Sequence, residues 1–355
     1  MRKIVFSGLL TTVALCTAAG TVAPSGMQDD LLFMSNRRDS VFELYRMAAD
    51  GSGVQRVFKE HREANGMSWS PDGSKVLYTA TPKGGQLNVF VTSLVDGQTQ
   101  QLTHDDLPSS EPTWSPDGKT IAFVSSRSNA RRIYLMDADG QHQRRLTSSA
   151  VDDEIAPRFS PDGTKLAYLA SGEGVKAPPR LSVADLSSGK TRVISDSPER
   201  AIDASPTWSP DGKQILFTMI KGQTNHVFVM AVDGTGRKQL TGSFQVNTQP
   251  QWSPDGRYIL YQSLLPESAR LSVFVMNADG SRPRKLYGSG NNVMDARWSS
   301  DGQRVFYTEQ LPSGAKVFSM DVAGQNIRRL SGNEGSDFNI QVCCDRSSAH
   351  ALGTQ

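Results

Sequence analysis

A five-residue motif that returns along the chain constrains its fold more than any other feature of the sequence. The motif is Trp-Ser-Pro-Asp-Gly or a close variant, and its six copies stand at 69–73, 114–118, 159–163, 208–212, 252–256 and 298–302. Successive copies lie 44 to 49 residues apart. A period of this length is typical of solenoids, propellers and other repeat arrays. The motif therefore predicts one supersecondary unit that is repeated along the whole chain.

The segments that follow each motif have the composition of short β-strands. After the second copy, the runs 119–125, 132–136 and 144–147 are rich in β-branched and aromatic residues and are bounded by turn formers. With the segment that leads into the motif, they give four short antiparallel strands per repeat. Four such strands form one blade of a β-propeller. The fold class is therefore all-β, and the expected architecture is a propeller.

The chemistry of the motif itself favours a structural role over a binding role. Proline presets the first corner of a type I turn, aspartate bonds back to the backbone, and glycine takes the left-handed position. The preceding tryptophan is a large apolar side chain that suits the space between blades.

A second marker gives the number of blades. Two-residue hairpin turns, most of them Asp-Gly, stand at 50–51, 96–97, 139–140, 188–189, 233–234, 279–280 and 323–324. There are seven of these hairpin turns but only six motif turns. The first strand of one blade is therefore missing from its regular place in the sequence. We expect 338–344 to supply it as the innermost strand of the first blade. This predicts seven blades closed by strands from both termini, with six blades as the alternative.

The N-terminus has the pattern of a targeting segment. Arg2 and Lys3 precede an uncharged stretch at 4–15, and small residues follow at 17–20, as in a secretory signal peptide. We expect cleavage near residue 19 and a periplasmic or secreted protein without a transmembrane segment. A lipoprotein signal acylated at Cys16 is the alternative. The expected organisation is then a signal peptide at 1–19, a short linker at 20–30, the propeller at 31–345 and a tail at 346–355.

Charge and cysteine content exclude several classes of protein. Lys and Arg number 38 against 36 Asp and Glu, which argues against nucleic acid as a partner. Three cysteines exclude a disulfide scaffold. Cys343 and Cys344 would point to opposite faces of a strand, which leaves only a strained vicinal disulfide as an alternative to two thiols. We expect a monomer.

The repeat resembles that of a known family. The run 111–123, followed by 133–137 and 145–147, is similar to the TolB-type β-propeller repeat, and the resemblance extends over about 31–345. TolB itself carries an α/β domain before its propeller, whereas only about a dozen residues separate the expected signal peptide from the first strand here. The resemblance therefore implies an exported TolB-like propeller. Similar propellers occur alone, before serine peptidase domains and in some polysaccharide lyases.

The candidate site lies on the face that carries the blade-to-blade loops, because variable loops on a rigid scaffold usually carry function. Three residues before each motif aromatic, the inner strand should enter the central channel, and acidic and amide side chains recur there and in the adjoining loops. Oxygen-rich groups of this kind suit a cationic peptide or a calcium ion. The expected binding residues are Asn65, Glu111, Asp203, Gln249, Asp295 and Asn339.

No catalytic residue can be assigned from the sequence. It has no Gly-x-Ser-x-Gly elbow and no His-Glu-x-x-His metal motif. His61, His104 and Asp105 are weak candidates for a divalent metal site, since the two histidines occupy equivalent places in adjacent loops. The sequence does not establish a cofactor. The candidate that it suggests is calcium or another divalent cation.

The leading functional hypothesis is a non-enzymatic exported propeller that binds a protein or peptide through its variable face at the channel mouth. One alternative is a propeller-type lyase or lactonase with a divalent metal at the channel mouth. The other is a structural component of the envelope. A convergent cluster of histidine and carboxylate groups would favour the enzyme, and a mouth without one would favour binding.

Overall fold

A computed structural model describes residues 29–343 except for 39–40, 59–63, 83, 129, 149–152, 172–178, 196–205, 222–223, 243–245 and 265–268. Throughout these residues the secondary structure is β-strand joined by turns and bends. None of them forms a helix that is long and apolar enough to cross a membrane.

The described strands follow one another in groups of four, which we number as blades in chain order. Two consecutive groups are joined by a single parallel bridge, Asn225 opposite Val246, into one eight-stranded sheet. The first group begins with β1 (Leu31–Ser35), β2 (Glu43–Met47) and β3 (Gln55–Arg56). Blade 2 comprises β4 (Ala64–Trp69), β5 (Lys75–Ala80), β6 (Asn88–Ser93) and β7 (Thr99–Gln101). Blade 3 comprises β8 (Ser109–Trp114), β9 (Thr120–Ser125), β10 (Arg132–Asp137) and β11 (Arg144–Arg145). Blade 4 comprises β12 (Glu154–Phe159), β13 (Lys165–Ala170), β14 (Arg180–Asp185) and β15 (Thr191–Val193).

The remaining strands continue the same order. Blade 5 comprises β16 (Thr207–Trp208), β17 (Gln214–Lys221), β18 (Thr224–Ala231) and β19 (Lys238–Gln239). Blade 6 comprises β20 (Val246–Trp252), β21 (Tyr258–Leu264), β22 (Leu271–Asn277) and β23 (Arg284–Tyr287). Blade 7 comprises β24 (Val293–Trp298), β25 (Arg304–Leu311), β26 (Gly314–Asp321) and β27 (Arg328–Arg329), and β28 (Asp337–Val342) completes blade 1.

The two ends of the described chain meet in one sheet. Strand β28 pairs antiparallel with β1, with Leu31 opposite Val342 and Ser35 opposite Asp337. This confirms the expected closing strand, although the strand ends at Val342. Cys343 is buried and its backbone N–H donates to the carbonyl of Asp30 at 2.7 Å. Cys344, and with it the vicinal-disulfide hypothesis, lies outside the described residues.

The hydrophobic core lies between the blades. Leu77 and Val89 of blade 2 form one apolar cluster with Trp114 and Phe123 of blade 3. Each further pair of consecutive blades shares a cluster of the same kind. A last cluster joins Phe306, Val317 and Leu330 of blade 7 to Leu31, Phe33 and Ile340 of blade 1. The packing therefore runs around a closed ring.

The repeated motif forms the same turn in its copies. In blade 3 the Ser115 hydroxyl donates to the Asp117 carboxylate at 2.6 Å and accepts the Thr120 N–H at 2.9 Å. Asp117 also accepts the N–H of Lys119 at 3.1 Å. The hydrogen bond from Ser115 lowers the pKa of Asp117 below its usual range. Equivalent bonds recur in the other five turns, so the motif has the structural role that its sequence predicts.

Motif-turn and hairpin glycines of several repeats pack against the preceding blade. A Cβ on Gly118 would lie 3.6 Å from the ring of Pro71, which places one motif turn on the next. A Cβ on Gly51 would lie only 2.6 Å from the carbonyl oxygen of Leu330. Because Gly51 belongs to blade 1 and Leu330 follows β27 of blade 7, the ring also closes at its outer edge.

The one motif copy without proline lies at this closure. Ser300 stands where the other copies have proline, and its backbone N–H donates to Asp29 at 3.0 Å. The Ser300 hydroxyl also donates to Asp29, at 2.7 Å, and Arg304 pairs with the same carboxylate at 2.8 Å. Proline has no N–H to donate. The serine therefore fits the junction at which the segment before β1 docks on blade 7, and buries Asp29 there.

Removal of the closing strand should destabilise the whole ring. Deletion of residues 336–355 takes away β28 and leaves the inner edge of β1 without its backbone partner, and an unpaired edge promotes association. We expect a lower melting temperature and oligomers in light scattering after size exclusion. Deletion of 346–355 alone is the matched control. A 336–355 deletion that stays monomeric with an unchanged melting temperature would contradict the closure.

The motif tryptophan should contribute mainly to stability. Trp114 is 7% exposed and packs between blades 2 and 3, so Trp114→Ala should lower the free energy of unfolding by about 3–5 kcal/mol. Val95→Ala is the control, because Val95 is 81% exposed and should change stability by less than about 0.5 kcal/mol. Denaturant titration measures both. Equal stabilities would show that the tryptophan has another role.

Candidate binding site at the channel mouth

The inner strands share a β-bulge with a left-handed residue. In blade 3, Ser110 lies opposite Val124 and Thr113 opposite Ala122, so two residues of β8 face a single residue of β9. The first of these two residues stands three positions before the motif aromatic and has positive φ in every described copy. These residues are Gly66 (58°), Glu111 (51°), Ala156 (57°), Gln249 (50°), Asp295 (52°) and Asn339 (56°). The equivalent Ser205 lies outside the described residues.

This geometry marks where the strands line the central channel. In the described residues, the first strand of each blade pairs along its length with the second strand, and β20 has one further bridge to β18. Consecutive first strands contact one another, as β4 does β8 and β8 does β12. A left-handed conformation in a residue other than glycine costs on the order of 1–3 kcal/mol and persists where the surroundings determine it. Because the bulge recurs in blade after blade, the fold imposes it, and only the side chain differs.

Two of the predicted binding carboxylates link neighbouring blades. Glu111 accepts the backbone N–H of Ala156 at 2.7 Å, and Asp295 accepts that of Asn339 at 2.7 Å. In each pair, the carboxylate and the N–H belong to equivalent bulge positions of consecutive blades. Thr308 also donates to Asp295, at 3.3 Å. Both carboxylates are half-buried. They are therefore hydrogen-bonded parts of the channel wall.

The other expected binding residues differ in their surroundings. Gln249 is exposed, and its side-chain oxygen accepts from Gln262 at 2.7 Å and from Arg297 at 3.4 Å. Asn339 is half-buried and takes part through its backbone. The backbone of Asn65 lies in β4, but its side chain is outside the described residues, as is all of Asp203. The structure thus brings Glu111, Gln249, Asp295 and Asn339 to equivalent positions around the channel.

Two arginines in the channel wall were missed by the sequence analysis. Arg158 and Arg297 stand directly before the motif aromatic in blades 4 and 7. In each, Nη1 donates to the carbonyl of the preceding residue, Pro157 at 2.8 Å and Ala296 at 2.9 Å. The signal was available in the sequence, since the position before the aromatic varies strongly between repeats.

Two other side chains at the same position donate to the next blade instead. Thr207 donates to the carbonyl of Pro250 at 3.3 Å, and Gln251 donates to that of Ala296 at 2.7 Å. These bonds satisfy carbonyls on the free edge of the inner strands, which otherwise have no sheet partner. The channel wall is thus a polar network that runs from blade to blade.

The channel contains charges of both signs. Burial lowers the pKa of the Arg158 guanidinium, the negative charge of Glu111 acts in the opposite direction, and the positive charge of Arg297 lowers the pKa further. Arg158 and Arg297 belong to the inner strands of blades 4 and 7. The described inner strands therefore carry acidic and basic side chains together.

The structure gives the metal candidates little support where it describes them. His104 is exposed, and the carboxylate of Asp105 forms an ion pair with Arg127. The Arg127 guanidinium lies 4.5 Å from the ring centre of Tyr134, which fixes it beside Asp105. His61 lies outside the described residues. Within the described ranges, no group of three or more His, Cys, Asp or Glu side chains is arranged to hold a metal ion.

Comparison with known protein families shows the family to which this chain belongs. The profile of the family described as "TolB beta propeller domain" matches residues 59–153 and 129–339. The chain belongs to the TolB β-propeller domain family. This agrees with the resemblance of its repeats and with the ring of antiparallel sheets.

Solved structures with the same fold have different functions. TolB from Acinetobacter baumannii aligns over 88% of this chain and 82% of its own, with 20% identity and a TM-score of 0.56. A putative TolB from Agrobacterium tumefaciens aligns over 69% and 94%, with 20% identity and a TM-score of 0.52. An oligogalacturonate lyase in complex with manganese aligns over 85% of both chains, with 16% identity and a TM-score of 0.64. At these identities the likeness establishes the fold alone.

Substitutions at Glu111 should separate the effect of its hydrogen bond to the next blade from the effect of its negative charge. Glu111→Ala leaves the N–H of Ala156, itself only 7% exposed, without its acceptor and should cost about 1–3 kcal/mol of unfolding free energy. Glu111→Gln keeps an acceptor oxygen and should cost less. Urea titration of both variants, beside Asp106→Ala at an exposed loop position, tests this. If Glu111→Ala and Asp106→Ala had the same free energy of unfolding, the hydrogen bond from Ala156 to Glu111 would not contribute to stability.

Proposed function

We propose that this protein is an exported, non-enzymatic propeller that binds a protein or peptide partner at the channel mouth on its blade-to-blade face. Export rests on the signal-peptide pattern of residues 1–19, which lie outside the described residues. Partner binding rests on the construction of the channel mouth.

One observation carries the proposal: a single backbone geometry presents a different side chain in almost every blade. The bulge position carries, in chain order, Gly66, Glu111, Ala156, Gln249, Asp295 and Asn339, all with φ between 50° and 58°. A bulge redirects the residue it contains. A rigid ring with chemically distinct groups at equivalent places suits recognition of one asymmetric partner.

The opposite face has the contrasting character. There the motif turns repeat the same Ser-to-Asp hydrogen bond, and five of the turn glycines face the proline of the preceding blade. Uniform turns of this kind are explained by packing. The variable face is therefore the better candidate for specific binding, because loops and positions free of packing constraints can diverge.

The comparisons are compatible with binding and with catalysis, and one contact in this chain bears on the metal-dependent alternative. Relatives with the same fold include proteins named TolB and an oligogalacturonate lyase. The lyase was solved with manganese, whereas the candidate Asp105 of this chain is paired with Arg127. Binding through the channel mouth needs only the polar network that the described residues contain.

The proposal predicts that neutralising two bulge carboxylates weakens partner binding. Glu111→Gln with Asp295→Asn removes both charges but keeps acceptor oxygens for the N–H groups of Ala156 and Asn339, so folding should be almost unchanged. The measurement is affinity capture from an envelope extract of the source bacterium, with quantitative mass spectrometry. We expect the partner that wild-type protein enriches to be reduced at least several-fold with the double variant.

The control carries the same change of charge on the other face. Asp139→Asn with Asp233→Asn alters two hairpin turns, and Asn-Gly suits such turns as well as Asp-Gly does. Loss of the partner with this control but not with the channel variant would show that the wrong face was chosen. Metal analysis of the same preparations is a second readout, and a stoichiometric divalent ion would favour the metal-dependent lyase alternative instead.

A further inference from the structure

A cavity of about 370 Å³ lies between blades 6 and 7, on the face that carries the motif turns. Its lining includes the buried side chains of Val275, Met276 and Trp298. Val322, in the outer hairpin of blade 7, also lines it. Sites for small molecules have volumes of this order and combine an apolar lining with a few polar groups. The cavity therefore has the size and the apolar lining of a small-molecule site.

Blade 6 departs from the other repeats at this cavity. Tyr258 lines it, stands two positions after the glycine of the motif turn, and is 40% exposed. The equivalent residues of the other five copies are all polar, namely Lys75, Thr120, Lys165, Gln214 and Arg304. The turn and the start of the second strand therefore do not need an aromatic residue here. An exposed aromatic ring offers a flat face on which the ring of a ligand can stack.

A second departure lies in the hairpin between β22 and β23. Arg282 lines the cavity and has a φ of 54°, in the left-handed region. Residues with positive φ at the equivalent position of other blades are Gly53, His142, Gly236 and Asn326, and glycine and asparagine adopt this conformation more readily than arginine does. Arg282 forms no hydrogen bond or ion pair with another residue in the described part of the chain. Neither the turn geometry nor a polar contact explains an arginine there.

Two further arginines line the same cavity and are already oriented. Arg257 pairs with Asp255, with Nε 2.5 Å from Oδ2. Arg284 donates from Nη2 to the carbonyl of Val322 at 2.5 Å, and it has no carboxylate partner within the described ranges. Because the pair of Arg257 and Asp255 is neutral overall, Arg282 and Arg284 leave two positive charges beside the apolar lining.

We propose that this cavity binds a phosphate monoester of a small ring compound, with the ring against Tyr258 and the phosphate held by Arg282 and Arg284. A guanidinium presents paired N–H donors that match the oxygens of a phosphate. A phosphate monoester is close to a dianion at neutral pH, so it matches both charges, whereas a carboxylate matches one. The site lies on the face opposite the channel mouth and goes beyond the proposed function.

The test titrates the intact protein with phenyl phosphate. Backbone NMR signals of Arg282 and Gly302, which both line the cavity, report on the site. We expect saturable shifts, with an affinity about tenfold higher than that for inorganic phosphate, which lacks the ring. Benzoate, which keeps the ring but has one charge, should also bind about tenfold more weakly. Equal affinity for inorganic phosphate or for benzoate, or no saturable shift with phenyl phosphate, would overturn the proposal.

Variants can use residues that other blades already carry, so that the fold is kept. Arg282→Gly introduces the residue of blades 1 and 5 and should weaken phenyl phosphate binding about tenfold. Tyr258→Thr introduces the residue of blade 3 and should remove the preference for phenyl phosphate over inorganic phosphate. His142→Gly is the matched control, because it makes the first change in the hairpin of blade 3. Equal affinities of Arg282→Gly and His142→Gly would contradict the site, and if a variant failed to fold, the wild-type comparison of probes would still decide.

Further arms identify the ring and separate this site from the proposed function. Glucose 1-phosphate or adenosine monophosphate that bound more tightly than phenyl phosphate would support the site and show whether it prefers a sugar or a nucleobase. Arg282→Gly with Tyr258→Thr should leave partner capture unchanged. Loss of capture with this double variant would overturn the small-ligand assignment. Selective binding of phenyl phosphate together with no partner capture by the wild-type protein would support the site and reject the proposed function.

Discussion

The backbone pairing of β1 with β28 is the constraint on which the rest of the structure depends. It places residues some 300 positions apart in one sheet and gives blade 1 its inner strand. Only then can Phe306 and Val317 of blade 7 pack against Leu31 and Phe33. The channel exists because this last interface closes, so every contact across it depends on a pairing made by the two ends of the chain.

Within each repeat of the closed ring, the residues that stabilise the fold and the residue that varies at the channel mouth occupy different positions. The motif turns make the same hydrogen bonds in successive blades, and the inner strands share a left-handed bulge residue. The side chain at the bulge is then free to change, provided that it tolerates positive φ. Asp295 and Asn339 do so readily, whereas Glu111, Ala156 and Gln249 are held there by their neighbours. Variation at this position therefore changes the channel mouth without changing the fold.

The inner strands carry side chains of both charges, and the described ones are hydrogen-bonded to the backbone. Carboxylates alone would favour a cation, but Glu111 and Asp295 each accept a backbone N–H from the next blade. Arg158 and Arg297 add positive charge to the inner strands, where each donates to a backbone carbonyl.

The sequence by itself determined the repeat, the all-β fold and the closing strand, because turn chemistry and strand patterns are local and recur in every blade. It also identified Glu111 and Asp295, since the position before each motif can be counted. Only the tertiary structure decided what these side chains do. It showed that they bind neighbouring blades and that Ser300 replaces proline to receive Asp29. Those contacts join residues from different blades, and the distances between such residues are set by closure of the ring and not by local sequence.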